Sequence, residues 1–342
     1  MKKLTLNNDL KLESGGVLKD ISVAYHTYGE INEQQSNVIW VCHALTANSD
    51  VADWWSGVFG EGRLLDPTKY FIVCANVIGS CYGSTGPVSS GLYTDFPLIT
   101  PRDMANVHEE LRKYLGIQKV HLLIGSSLGG QQALEWSIAQ PEVVEHAVYI
   151  ATNAQHSPFG IAFNESQRLA ILADETYGNK TPESGRKGLI AARSIAMLSY
   201  RTYKGYELTQ SEDTNEKVND FKAASYQRYQ GEKLANRFDA YSYVTLSKAM
   251  DAHNVGRGRE SVQAALQQIK AKSLVISVST DVIFPPEEQQ FLAKHIPGAS
   301  YTEIHSDFGH DGFLVEQEQL ITVINGFLNN KLKGKALTCF KT

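Results

Sequence analysis

A mostly parallel, doubly wound α/β sheet with an inserted helical lid is the fold class this sequence predicts, and three observations predict it. Apolar, strand-like runs alternate with stretches of helical periodicity in both the first and the last part of the chain. Two of those runs, Val38-Ile39-Trp40-Val41-Cys42 and Phe71-Ile72-Val73-Cys74, are apolar at every position, as strands covered on both faces of a parallel sheet must be. The alternation then fails from 164 to 256, where helical spacing persists (Leu189, Ala192, Ile195, Ala196, Ser199; later Tyr243, Leu246, Met250) and no convincing strand occurs.

Taken in order, strands are expected over 21–25, 38–45, 71–78, 120–124, 147–151, 274–278 and 301–304, with helices over 104–115, 287–295 and 315–328. The middle stretch is too long for a structureless loop, since such loops seldom exceed about 15 residues in a compact domain. It is therefore read as a lid over the C-terminal edge of the sheet, where open α/β sheets bind ligands. The division expected is 1–160 and 259–342 for the core and 161–258 for the lid, with the polar segment 208–220 as a connection within the lid.

At 342 residues the chain can bury a large core, and a net charge of −5 without a basic stripe argues against nucleic acid as a partner. Lys2 and Lys3 are followed by no apolar leader segment, and no run of eighteen apolar residues occurs, so an unexported, cytoplasmic protein off the membrane is expected. Cys42, Cys74, Cys81 and Cys339 have no C-x-x-C spacing, and are read as reduced core thiols.

The chemistry concentrates in His121 to Trp136. An apolar strand runs into Gly125-Ser126-Ser127-Leu128-Gly129 and then into a helix, which is the strand-turn-helix setting a G-x-S-x-G nucleophile elbow requires. Ser127 is the candidate nucleophile. A serine hydroxyl needs a base, and the base needs a third group to fix its tautomer. In an α/β-hydrolase fold those partners follow in the order acid, then histidine. Asp281, at the end of the strand-like run Leu274 to Thr280, and His310, in the loop after the last strand, fit that order. His305, Asp307, His310 and Asp311 match no zinc spacing, so no metal site is assigned. The oxyanion hole needs two backbone N–H donors, for which the Leu128 amide and the Leu45 amide are the candidates. His43 reads as a buried, hydrogen-bonded histidine.

The segments His43-Ala-Leu-Thr46, Asn76 to Pro87, Phe96-Pro97, Gly125 to Gly130 with Gln-Ala-Leu-Glu-Trp136, Ala192-Arg193, Ser199-Tyr-Arg201, Arg237-Phe-Asp239 and Gly309-His-Asp-Gly-Phe313 carry a resemblance over nearly the whole chain. Together they resemble the homoserine O-acetyltransferase family of α/β-hydrolase-fold enzymes. The chain departs from the family's usual pattern at Ala47, Ser126 and Leu128. The resemblance implies ping-pong transfer of acetyl from acetyl-CoA to L-homoserine through an acyl-Ser127, with no permanently bound cofactor, and a homodimer built through the lid helices. It implies Arg193, Tyr200 and Asp311 as the residues that hold homoserine. Succinyl-using relatives carry an arginine two residues after the aspartate of the triad; here that position is Ile283, and no Arg or Lys occurs from 273 to 290. A serine acyltransferase, a homoserine O-succinyltransferase and a plain serine esterase are the alternatives on the same scaffold.

Overall fold

The computed structural model of the chain describes residues 1–330. Its strands are β1 (Lys2–Thr5), β2 (Leu10–Lys11), β3 (Val17–Leu18), β4 (Ser22–Tyr28), β5 (Val38–Cys42), β6 (Phe71–Ala75), β7 (Val120–Ser126), β8 (Val144–Ile150), β9 (Lys272–Val278) and β10 (Ser300–Ile304). Eight of them form one sheet in the order β1-β4-β6-β5-β7-β8-β9-β10, while β2 and β3 pair separately. From β6 to β10 every pairing is parallel, and β1 and β4 add an antiparallel edge. All seven strands expected from the sequence are present, as β4 to β10. The strand β1 is an addition to that set: it lies at the sheet's edge with its two lysines exposed, so the burial that makes a strand legible is missing.

Residues of β5 alternate between two cores. Trp40 packs edge-on against Trp136 at 4.9 Å on one face of the sheet, whereas Ile39 and Val41 join Trp55, Ile72 and Ile124 on the other. Each such buried aliphatic side chain contributes roughly 1.5–3 kcal/mol, and the double coverage explains why β5 has no polar face.

Between β8 and β9 the chain leaves the sheet through helices Pro158–Leu172, Arg186–Tyr200, Tyr203–Gln210, Lys222–Ala235 and Ala240–Asp251. Entry and exit are tied together at a neck, where His156 N–H donates to the His253 carbonyl at 3.1 Å and Val255 N–H to the Ala154 carbonyl at 2.9 Å. The first lid helix starts sharply because the Ser157 hydroxyl accepts from the Gly160 amide and Pro158 occupies the first turn. Gly188 lets the second helix cross the first closely: a Cβ there would stand 2.6 Å from the Ile171 Cα. Part of the expected connection 208–220 is instead the end of helix Tyr203–Gln210. Likewise the expected helix 315–328 is two helices, Gly312–Val315 and Gln317–Leu328, broken at Glu316.

Cys42 and Cys74 are buried as expected. Cys81 corrects the expectation: it is only half-buried, its thiol 3.7 Å from the Arg237 carbonyl. Cys339 lies outside the described residues. No described helix is long and apolar enough to cross a membrane.

Candidate active site

β7 delivers Ser127 at the tip of a turn that continues directly into the helix Leu128–Ala139. Ser127 has φ 54° and ψ −125°, a conformation costing about 1–3 kcal/mol for a residue with a Cβ. The flanking glycines make the turn possible by close approach. A Cβ on Gly125 would lie 2.2 Å from the Gly129 carbonyl oxygen, and one on Gly129 would lie 2.0 Å from the Cys42 carbonyl oxygen. A side chain at Gly125 would push the strand off the helix start, and one at Gly129 would push the elbow away from β5.

The three residues that the sequence separates meet here. Ser127 Oγ stands 2.9 Å from His310 Nε2, and His310 Nδ1 stands 2.6 Å from Asp281 Oδ2. The other Asp281 oxygen accepts from the Ile283 and Phe284 amides at 2.9 and 3.0 Å, which fixes the carboxylate's orientation. Thr280 ties the acid loop to the histidine loop, donating its hydroxyl to the Ser306 carbonyl and accepting from the Gly309 amide. His310 is packed by Phe284 (5.1 Å), Phe313 (5.3 Å) and Tyr200 of the lid (5.7 Å between ring centroids). With Nδ1–H donated to Asp281, the Nε2 lone pair faces the hydroxyl, and the arrangement can remove its proton.

Burial opposes a charge on His310, but the Asp281 charge, its hydrogen bond and the Asp311 charge outweigh it and hold the imidazole's pKa above its ordinary value. Only neutral His310 can act as a base. Acylation of Ser127 should therefore fall as the pH is lowered through a midpoint above 6.5, the unperturbed value. Asp311→Asn removes one of the raising charges, so the midpoint should move to lower pH. A pH profile of the acyl-enzyme burst in the two proteins checks this; a midpoint that stays put or rises contradicts the raising effect of Asp311.

The segments that carry the two amides expected for the oxyanion hole meet at the elbow, where the Cys42 and His43 carbonyls face Gly129. Leu128 is the first residue of its helix, where the N–H has no acceptor within the helix. Leu45 follows β5, whose Cys42 is the register partner of Gly125. The Ala44–Leu45 peptide is held by His43, which accepts from the Val77 amide at Nε2 (3.1 Å) and therefore donates from Nδ1 to the Ala44 carbonyl (2.8 Å). Burial lowers the His43 pKa to about 4 and keeps it neutral, in agreement with a structural reading of that histidine. Gln132 spans the two segments: its amide group donates to the His43 carbonyl at 3.2 Å and the Leu128 carbonyl at 3.1 Å.

On the lid side, Arg193 and Tyr200 share one face of helix Arg186–Tyr200, with the guanidinium 5.3 Å from the Tyr200 ring centroid. Tyr200 in turn touches His310. Arg193 forms no ion pair among the described residues, and its Nε is buried without a hydrogen-bond partner. Asp311 differs, since Arg201 Nε lies 2.8 Å from its Oδ2. Nothing in the sequence signals this pair: Arg201 stands in the motif Ser199-Tyr-Arg201, but no spacing rule connects it to a residue 110 positions away.

A strained serine elbow, an acid–histidine relay in that chain order and a parallel sheet with an inserted helical lid define a serine-dependent enzyme of the α/β-hydrolase class. The family model for the alpha/beta hydrolase fold matches residues 37–317. A homoserine O-acetyltransferase of Cyclobacterium marinum is 51% identical over 93% of this chain and 92% of its own length, and one of Chlorobaculum tepidum is 46% identical over 94% and 92%. The crystal structure of homoserine O-acetyltransferase from Bacillus anthracis superposes with a TM-score of 0.87 at 25% identity, covering 99% of this chain and 98% of that one. Esterase E22, at 23% identity over 96% of this chain and 99% of its own, shares the fold with a TM-score of 0.85. The chain belongs to the homoserine O-acetyltransferase family, a family of acyltransferases.

Proposed function

We propose that the chain moves the acetyl group of acetyl-CoA to the hydroxyl of L-homoserine, giving O-acetyl-L-homoserine for methionine biosynthesis in the cytoplasm. Ser127 Oγ attacks the thioester carbonyl while His310 takes its proton. The C–S bond breaks as His310 returns that proton to the departing thiolate. His310 then takes the homoserine hydroxyl proton, the alkoxide attacks acyl-Ser127, and the serine leaves with the proton restored. The Leu45 and Leu128 amides receive the oxyanion formed in each half-reaction.

The observation that carries this reading is Arg193, a half-buried guanidinium beside Tyr200, which itself packs on His310, with no carboxylate paired to it among the described residues. Such a group is costly to bury unless a ligand supplies the anion, and the α-carboxylate of an amino acid fits its planar fork. Tyr200 packs between Arg193 and the base, and the Asp311 oxygen not taken by Arg201 accepts from the α-ammonium. Hydrolysis needs none of these groups. An acetyl donor is favoured over succinyl because Ile283 is buried and the nearby candidate cation, Arg168, is committed to Asp251 and Glu165 at 2.6 Å each. Exposed Phe159, Leu169, Leu172 and Leu198 on the first two lid helices support a homodimer formed through the lid.

Arg193→Lys is the test. A lysine keeps the charge and loses the bidentate geometry, worth about 1.5–3 kcal/mol for a charged hydrogen bond. The homoserine KM should rise about ten- to a hundredfold, while thiol release in the first burst with acetyl-CoA alone survives. Equal damage to both half-reactions would remove Arg193 from the acceptor site.

A further inference from the structure

The two amides assigned to the oxyanion hole belong to the peptide units Ala44–Leu45 and Ser127–Leu128. A peptide is rigid, so a donor bound to its C=O end fixes where its N–H end points and also polarises it. His43 does this for the first peptide. For the second, the Ser127 carbonyl accepts from the Thr152 hydroxyl at 2.9 Å, in addition to the Gly130 and Gln131 amides at 2.9 and 3.2 Å. Thr152 is fully buried, and since its partner is a carbonyl its hydroxyl must be the donor.

The surrounding chain is arranged to put that hydroxyl there. Ala151, the residue after β8, adopts φ 46°, a strained value for a residue with a Cβ, and this turns Thr152 under the elbow. Gly130 leaves the room, because a Cβ at that position would lie 2.5 Å from the Thr152 Cβ. The Gln289 side chain, from the helix Pro286–His295, donates to the Thr152 carbonyl and holds its backbone. No step of the acyl transfer touches Thr152, so strain and close packing are spent on a residue outside the relay.

We propose that Thr152 is a positioning residue for acyl transfer: by donating to the Ser127 carbonyl it aims and strengthens the Leu128 N–H toward the oxyanion. The inference rests on the acyl-serine reading, and its test separates the two. Acylation by p-nitrophenyl acetate reports on the elbow whatever the natural acceptor is, and a trifluoromethyl ketone reports on the oxyanion site as a tetrahedral adduct. Removing an oxyanion donor outright costs about 10²–10³ in rate, and weakening one should cost less. Thr152→Val should therefore lower kcat about tenfold with KM nearly unchanged, and weaken the trifluoromethyl ketone by a similar factor. Thr152→Ser, which restores the hydroxyl, should recover most of both. If Thr152→Val retains wild-type kcat and inhibitor affinity, or if its losses track only its melting temperature and are not rescued by serine, the inference is overturned. Wild type that is acylated by the ester at Ser127 but passes no acetyl to homoserine would instead overturn the acceptor assignment and leave Thr152's role standing.

Discussion

Ser127→Ala is expected to abolish acyl transfer, with a rate loss of about 10⁴- to 10⁶-fold, while leaving the fold intact. The relay then has a base and no nucleophile: His310 keeps its 2.6 Å bond to Asp281, but the hydroxyl at 2.9 Å is gone. Alanine also fits the strained φ of 54° no worse than serine does, so little stability should change. Mass spectrometry supplies the positive control, since wild type incubated with acetyl-CoA alone should gain one acetyl group on the peptide containing Ser127. An acetyl mark on Cys81, the half-buried thiol, or activity persisting in the variant would show that the nucleophile is elsewhere.

Asp281→Asn should cost nearly as much, about 10⁴-fold in kcat, for a different reason. The Ile283 and Phe284 amides require an acceptor on one side of the group, so the amide oxygen of an asparagine is held there and its NH₂ is turned toward His310 Nδ1. That NH₂ can only donate, which forces the proton of neutral His310 onto Nε2 and makes it a donor facing Ser127 Oγ. The expected signature is a loss in both half-reactions, with melting temperature and homoserine binding retained. A variant within about tenfold of wild type would mean that His310 is oriented by its packing against Phe284, Phe313 and Tyr200 alone.

What the sequence reveals and what it hides follows from physics at particular residues. β5 and β6 are legible because burial on both faces leaves no polar position, and the elbow because close approach to Cys42 demands glycine at Gly129. Asp281 and His310 are legible through chain order at strand ends. Partnerships across long separations are not: Arg201 carries nothing that points to Asp311, and a threonine after a strand, such as Thr152, is ordinary until Ala151 is seen to turn it. The edge strand β1 escapes because pairing of backbone groups alone, with exposed lysines, leaves no apolar pattern.

The lid sits between the nucleophile and its base in the chain, so Ser127 and His310 are separated by 183 residues. At a translation rate of about 5–20 residues per second, the serine leaves the ribosome roughly 10–40 s before the histidine that activates it. For most of that interval β9 cannot yet dock on β8, nor β10 on β9, and the nascent elbow is an ordinary, unreactive alcohol. Ser127 labelling by an acylating probe is thus a clock for the last stage of assembly: it can start only when the chain beyond the lid has closed back onto the sheet.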